Sequence, residues 1–197
     1  MLNVLVHFGL WSVGLADAET QTTTDERDCL ARHASGRKRL AEIGVWHGVT
    51  TCRLRQAMDP AGTLFAIDPY PKGRLGFSMQ RVIASREVSK ITNGSVTWVR
   101  TTGAEAASGL RSYGLFDFLF IDGDHSYEGL QTDWNAWKDA LTGGGIVALH
   151  DSRPSPERPI HDAGSVRFTS EVILADRCFE VVDALDSLTV LRRRMAL

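Results

Sequence analysis

The sequence predicts an α/β fold: a doubly wound, mostly parallel, seven-stranded sheet that ends in an antiparallel hairpin. Three observations carry this expectation. Five strand-like apolar runs alternate with helical periodicities, and two alternating stretches close the chain around Asp186-Ser187. Gly44, Asp68, Asp122 and Asp151 all fall at the carboxyl ends of the runs, where open sheets of this class bind ligands. With 197 residues, 43% hydrophobic and 23% charged, one domain with a substantial core suffices.

The elements follow in order. Met1 to Leu15 is apolar, lacks Lys and Arg, and is interrupted by Gly9 and Gly14. A signal peptide needs a basic start and a membrane span needs about 20 clean apolar residues, so neither description fits. Residues 1–21 are therefore expected to pack on the domain or on the partner in a homodimer, and residues 22–197 to form the single domain. Thr22-Thr23-Thr24-Asp25-Glu26 supplies hydroxyls and acids for a helix start, and Ser35-Gly36 stops that helix. A first strand, Arg39 to Val45, enters a glycine-bordered turn. A helix from Val49 to Met58 ends at Asp59-Pro60-Ala61-Gly62, and Thr63 to Asp68 forms the second strand.

Pro69 to Phe77 is too rich in proline and glycine to be regular and leaves the ligand side of that strand as a candidate lid. A helix from Ser78 to Ile91 and the Asn93-Gly94 turn lead to a third strand, Val96 to Val99, with a further helix after Ala104. Phe116 to Asp122 is a nearly continuous apolar run, as expected of a parallel strand buried on both faces. Tyr127, Leu130, Trp134, Trp137 and Leu141 recur at helical spacing as core positions; Gly143-Gly144-Gly145 is expected to end that helix before a fifth strand, Ile146 to Leu149. Arg153 to Ile160 holds three of the six prolines and reads as a rim loop, in which Arg158, like Arg74 in the other loop, is taken as a solvated charge. Val166 to Ala175 reads as a helix, and Phe179 to Val182 with Leu188 to Leu191 as the hairpin.

Charge and cysteine usage exclude several functions. A net charge of −2 gives no global electrostatic case for nucleic acid or an anionic membrane, and Arg192-Arg193-Arg194 reads as a solvated terminus. Cys29, Cys52 and Cys178 are odd in number and far apart, which supports neither a disulfide framework nor a zinc knuckle and suits a reducing cytoplasm.

The turn itself points to a ribose-bearing ligand. Asp68 follows Gly48 by about 20 residues, the interval at which α/β nucleotide binders place an acid for ribose hydroxyls. Gly44-x-x-x-Gly48 lacks the third glycine of a pyrophosphate-binding turn. A phosphate-free cofactor such as S-adenosylmethionine therefore fits better than a dinucleotide.

Together, Glu42-Ile43-Gly44-Val45-Trp46-His47-Gly48, Phe118 through Gly129, and Gly143 through Asp151 resemble class I S-adenosylmethionine-dependent methyltransferases. The similarity is to the small-molecule O-methyltransferases related to the catechol, caffeoyl-coenzyme A and macrolide-sugar enzymes, and spans about Thr20 to Leu191. It implies a Rossmann-like domain in which Glu42, Gly44 and Gly48 line the methionine and ribose end, Asp68 takes the ribose hydroxyls, and Thr102, Gly103 and Ala104 cradle the adenine, with Asp122 also at the cofactor. Against these stand blander roles, Asp68 as a loop cap and Glu42 as a buried acid satisfied by backbone amides.

The resemblance also implies a divalent ion, Mg²⁺ or Mn²⁺, at Asp122, Asp151 and a neighbour of Asp151. Here the pattern departs, because the neighbours are His150 and Ser152 where relatives carry a carboxylate or asparagine, so the set becomes Asp122, His150 and Asp151. The alternative is that Asp122 and Asp124 cap the following helix. His125 matches a basic position that accepts the substrate proton, with Asp124 as the second candidate. The expected activity is O-methylation of a hydroxylated small molecule. A non-catalytic adenosylmethionine-binding scaffold is the alternative, followed by a nicotinamide-dependent oxidoreductase.

Overall fold

In the computed structural model, which describes residues 4–195, five parallel strands form the body of one sheet: β1 (Arg39–Ile43), β2 (Thr63–Ile67), β3 (Ser95–Val99), β4 (Phe116–Ile121) and β5 (Leu141–Leu149). The antiparallel β6 (Phe179–Leu185) and β7 (Leu188–Arg193) complete the order β3-β2-β1-β4-β5-β7-β6. Strand order reverses between β1 and β4, which opens a crevice at their carboxyl ends. The expected outer bounds at residues 1 and 197 lie outside the described residues.

Among the described residues seven α-helices surround the sheet: α1 (Val4–Ser12), α2 (Thr24–Ala34), α3 (Val49–Ala57), α4 (Met79–Ser89), α5 (Gly103–Leu110), α6 (Tyr127–Trp137) and α7 (Gly164–Phe168). Successive strand residues point to opposite faces, so each central strand feeds two cores. Ala41, Ile43, Leu119 and Ile121 pack with Leu110, Trp134, Trp137 and Phe168 on one face. Leu40, Phe118 and Phe120 pack with Leu30, Leu54 and Met58 on the other. The expected core role of the α6 tryptophans holds. Trp137 is fully buried, and its indole nitrogen donates to the Gly103 carbonyl oxygen at 2.8 Å, fixing the start of α5 beside the crevice.

Two local expectations change. The triple glycine lies inside β5, which starts at Leu141, while α6 gives way to a 3₁₀ turn at Lys138–Ala140. The pairing of β4 with β5 shifts register between Phe116 and Phe118, and Gly144, at φ 77°, adopts a conformation that lets the strand run through this irregularity. The helix expected over Val166 to Ala175 is shorter, with α7 running into a π-helical turn at Thr169–Ile173. The N-terminal stretch forms α1, whose buried Trp11 donates to Glu87 on α4 at 2.9 Å. Among the described residues no helix is long and apolar enough to cross a membrane.

Gly44 leaves β1 at φ 86°, and a Cβ there would run into the carbonyl oxygen of Asp122 at the end of β4. The close approach of the two strand ends thus demands glycine. Gly44→Ala is expected to lower stability by at least the roughly 1–3 kcal/mol of backbone strain at such a residue, read as a fall in the thermal midpoint with circular dichroism.

Candidate active site

The crevice is a cleft of about 850 Å³. The end of β1 contributes Glu42, Gly44, Val45 and Trp46, the end of β2 contributes Asp68, and the start of α5 contributes Thr102, Gly103 and Ala104. Asp122 to Ser126 form the next wall, α6 adds Glu128, Gly129, Thr132 and Asp133, and Glu19 to Gln21 line it from the segment before α2. Gly48 is placed elsewhere. At φ 76° it caps α3 and faces Ala84 and Val88 of α4, so its glycine character answers helix packing and not the cleft.

Each cofactor-side residue has a definite role in the fold. One Asp68 oxygen accepts the amides of Val45 and Trp46 at 3.2 and 3.1 Å, and the other accepts that of Tyr70 at 2.8 Å. Asp68 therefore shapes the turn, and its carboxylate keeps acceptor capacity facing the cleft. Thr102 is the N-cap of α5 in a reciprocal capping box with Glu105, which leaves Gly103 and Ala104 as the first turn of that helix at the cleft wall. Glu42 differs from both. It is 1% exposed, and neither carboxyl oxygen has a hydrogen-bond partner, so the expectation that backbone amides satisfy it is not met. Burial, against the pull of the nearby Thr51 hydroxyl and reinforced by the charges of Asp122 and Asp68, pushes its pKa well above the usual carboxylate range.

Across the cleft, β5 ends in a buried charged relay. The His150 ring is fully buried; its Nδ1 lies 2.8 Å from Asp122 Oδ1 and its Nε2 lies 3.4 Å from Glu26 Oε2. Burial pushes the imidazole pKa down, but the hydrogen bonds and charges of Asp122 and Glu26 outweigh it and hold the pKa up at about 10. Glu26 is itself fixed by the Thr23 amide, by the Ser187 amide at 2.9 Å and by the Ser187 hydroxyl at 2.7 Å. Burial alone would raise its pKa; His150, Ser187 and the Thr23 amide instead pull it down to about 2. His125 lies nearer the surface, its Nε2 3.6 Å from Asp122 and 3.7 Å from Asp151. Asp124 accepts the Ser126 amide at 2.9 Å, while Ser126 caps α6, so Asp124 supports the cap without being it.

These residues do not fit a divalent ion held by Asp122, His150 and Asp151. A metal-bound imidazole needs a nitrogen lone pair directed at the ion, yet His150 Nδ1 is hydrogen-bonded to Asp122, and Nε2, which makes no hydrogen bond, points to the buried Glu26. Asp151, 4% exposed and at φ 49°, accepts a hydrogen bond from Arg158 Nη2 at Oδ2 and has its Oδ1 in ion-pair contact with Arg158 Nε. A second grouping, Asp122, His125 and His150, also brings its donor atoms within 4.8 Å, but it uses the same engaged His150.

Several site residues were not legible as such. Arg158, expected as a solvated charge, is half-buried against Asp151 and also donates to Gln21 at 3.0 Å. Glu26 carried one signal, its place three residues after Thr23 in a helix-start pattern, which gives the capping box but not the contact with His150. Asp133 is buried between Gly103 and Gly123 on the cleft wall. Burial and the nearby Asp124 raise its pKa to about 6, against the pull of the Ala104 amide.

Comparison with known proteins gives a consistent picture. A family model described as a methyltransferase domain matches residues 41–152. The fold is similar to that of cofactor-bound Rv0187 from MTB, with 13% identity, TM-score 0.69, and 98% of this chain and 90% of that chain covered. It is similar to the O-methyltransferase TomG from Streptomyces achromogenes in complex with SAM, with 15% identity, TM-score 0.65, and coverage of 99% and 91%. A third likeness is to an rRNA methylase from Streptococcus thermophilus, with 12% identity, TM-score 0.61, and coverage of 90% and 100%.

The relay predicts a pH signature. The folded pKa of His150, about 10, lies above the ordinary imidazole value, so its stabilisation is complete below about pH 6.5 and is lost as pH rises through about 10. Glu26, at about 2, is stabilising above about pH 4.5 and loses that contribution as pH falls toward about 2. The thermal midpoint is expected to fall between about pH 7 and 10. His150→Gln should be less stable at pH 7 and flatter across that range.

Proposed function

The chain belongs to the S-adenosylmethionine-dependent methyltransferases, and from that premise we propose that it methylates a hydroxyl oxygen of a small molecule. One observation carries the reading. Among the described residues the cleft is lined by seven acidic side chains, Glu19, Glu42, Asp68, Asp122, Asp124, Glu128 and Asp133, and by no lysine or arginine. Such a wall suits a ligand with a sulfonium and an ammonium group and opposes the pyrophosphate of a dinucleotide or the phosphates of RNA. The volume is also within the roughly 300–1,000 Å³ usual for small-molecule clefts.

On this reading Glu42 ionises to receive the amino group of the methionine moiety. Asp68 accepts the ribose hydroxyls with the acceptor capacity that the turn leaves free, and Thr102 to Ala104 flank the base. The bound cofactor supplies an electrophilic methyl group on sulfur. The residues around it hold the acceptor oxygen in line, so that the O–CH₃ bond forms as the S–CH₃ bond breaks, and much of the rate gain comes from positioning. His125 Nε2, at the cleft and between two acids, takes the hydroxyl proton. Asp122 links His125 to the buried relay.

Glu42 makes the cofactor half testable. A carboxyl whose pKa burial raises and which ionises on binding releases a proton, so titration calorimetry with S-adenosylmethionine in buffers of different ionisation enthalpy should detect proton release. Glu42→Gln should abolish the release and weaken binding by about 1.5–3 kcal/mol, the range for a hydrogen bond to a charged group. Unchanged affinity and proton release in the variant would remove Glu42 from the site.

The acceptor half is tested with His125→Ala in a methyl-transfer screen over hydroxylated sugars, phenols and polyketides. Turnover is expected to fall by about 10²–10⁴-fold, with cofactor affinity nearly unchanged. Parental turnover would exclude His125 as the base and make Asp124→Asn the next variant.

A further inference from the structure

We propose that Arg158 is an internal cation of this site: clamped on Asp151, its guanidinium takes the place of the divalent ion in the metal-dependent methyltransferases the chain resembles, and so closes the site to a metal. The inference rests on the reading of the cleft as a methyl-transfer site. Its observations are separate.

Nη2 of Arg158 donates to Asp151 Oδ2, and Nε lies in ion-pair contact with Asp151 Oδ1 without the alignment of a hydrogen bond, so both carboxylate oxygens lie against the guanidinium. The Asp151 side chain is only 5% exposed, so this is not a solvated surface pair. The loop that delivers Arg158 is stiff. Three prolines, Pro154, Pro156 and Pro159, restrict it, and Ser155 and Arg158 exchange backbone hydrogen bonds at 2.9 and 3.1 Å. Nη2 also reaches Gln21, which lines the cleft, so the arginine joins the rim loop to the segment before α2.

The contacts point the same way. Asp151 meets a guanidinium, a group that is always charged, whereas Asp122 and Glu26 lie against the His150 ring. A divalent ion on Asp151 would have to displace the guanidinium and leave it without its partner. A guanidinium donates hydrogen bonds but does not ligate an acceptor oxygen as a Lewis acid. The substrate proton must therefore leave through a side chain, for which His125 is placed.

The test measures metal binding without any acceptor. Mn²⁺ is titrated into the wild-type chain, Arg158→Ala and Arg158→Gln, with the free ion followed by electron paramagnetic resonance and folding checked by thermal unfolding. The wild type should leave Mn²⁺ free into the millimolar range. At least one folded Arg158 variant should gain affinity by about 10-fold or more as Asp151 becomes available, and adding Asp151→Asn should cancel the gain. Micromolar Mn²⁺ binding by the wild type that Asp151→Asn abolishes would overturn the proposal, as would folded Arg158 variants that bind no better than wild type. S-adenosylmethionine affinity is measured on the same samples. Its absence, with the Mn²⁺ pattern intact, would sink the functional reading and leave the internal cation standing.

Discussion

A buried imidazole between two acids organises the β4–β5 side of the cleft. His150 ends β5, Asp122 ends β4, and Glu26 arrives from α2 with Ser187 of the β6–β7 turn attached. Four separate parts of the chain therefore meet at one fully buried ring. Removing any member strands a charge, and an uncompensated buried charge is among the costliest defects a core can hold. The relay gains specificity from that cost, because only one mutual placement of α2, the hairpin and the two strand ends satisfies all the partners. His125 and Asp151 are positioned around it.

The β1–β2 side of the cleft follows the opposite logic. Its acids are not matched by internal cations, and no cation or well-formed hydrogen bond meets Glu42, which has only the Thr51 hydroxyl nearby. An unsatisfied buried carboxyl is an expense that a stable fold avoids unless a ligand relieves it. The cleft thus divides into a half whose charges are internally paired and a half that awaits positive charge. On the proposed reading the division corresponds to the two substrates: a cationic methyl donor on the unpaired half, and a neutral hydroxylated acceptor beside the paired one.

Much of this was legible in the sequence, and the rest was not for identifiable reasons. The parallel order and the hairpin were readable because buried strands such as Phe116 to Ile121 are continuous apolar runs and because glycine turns punctuate them. Gly44 and Asp68 were readable as residues of the β1 turn, since their spacing reflects strand and helix lengths. Gly48 was over-read, because a glycine needed for close packing on α4 looks the same in sequence as one needed beside a ligand. The start of β5 was missed because three glycines signal a stop only when no neighbouring strand holds them. Glu26 and Arg158 were invisible as site residues. Their partners lie far away in sequence, as with Glu26 and Ser187, or across an irregular loop, as with Arg158 and Asp151, and no local periodicity encodes either contact.

The central claim is that the acidic cleft at the β1–β4 reversal holds S-adenosylmethionine with its sulfur directed toward His125. The most direct measurement is a crystal structure of the chain with S-adenosylhomocysteine. The account predicts the amino group on Glu42, the ribose hydroxyls on Asp68, the base beside Thr102 to Ala104, and the sulfur facing open space in front of His125. A ligand bound outside this cleft, or one whose sulfur points away from His125 with Glu42 still unpartnered, would contradict it.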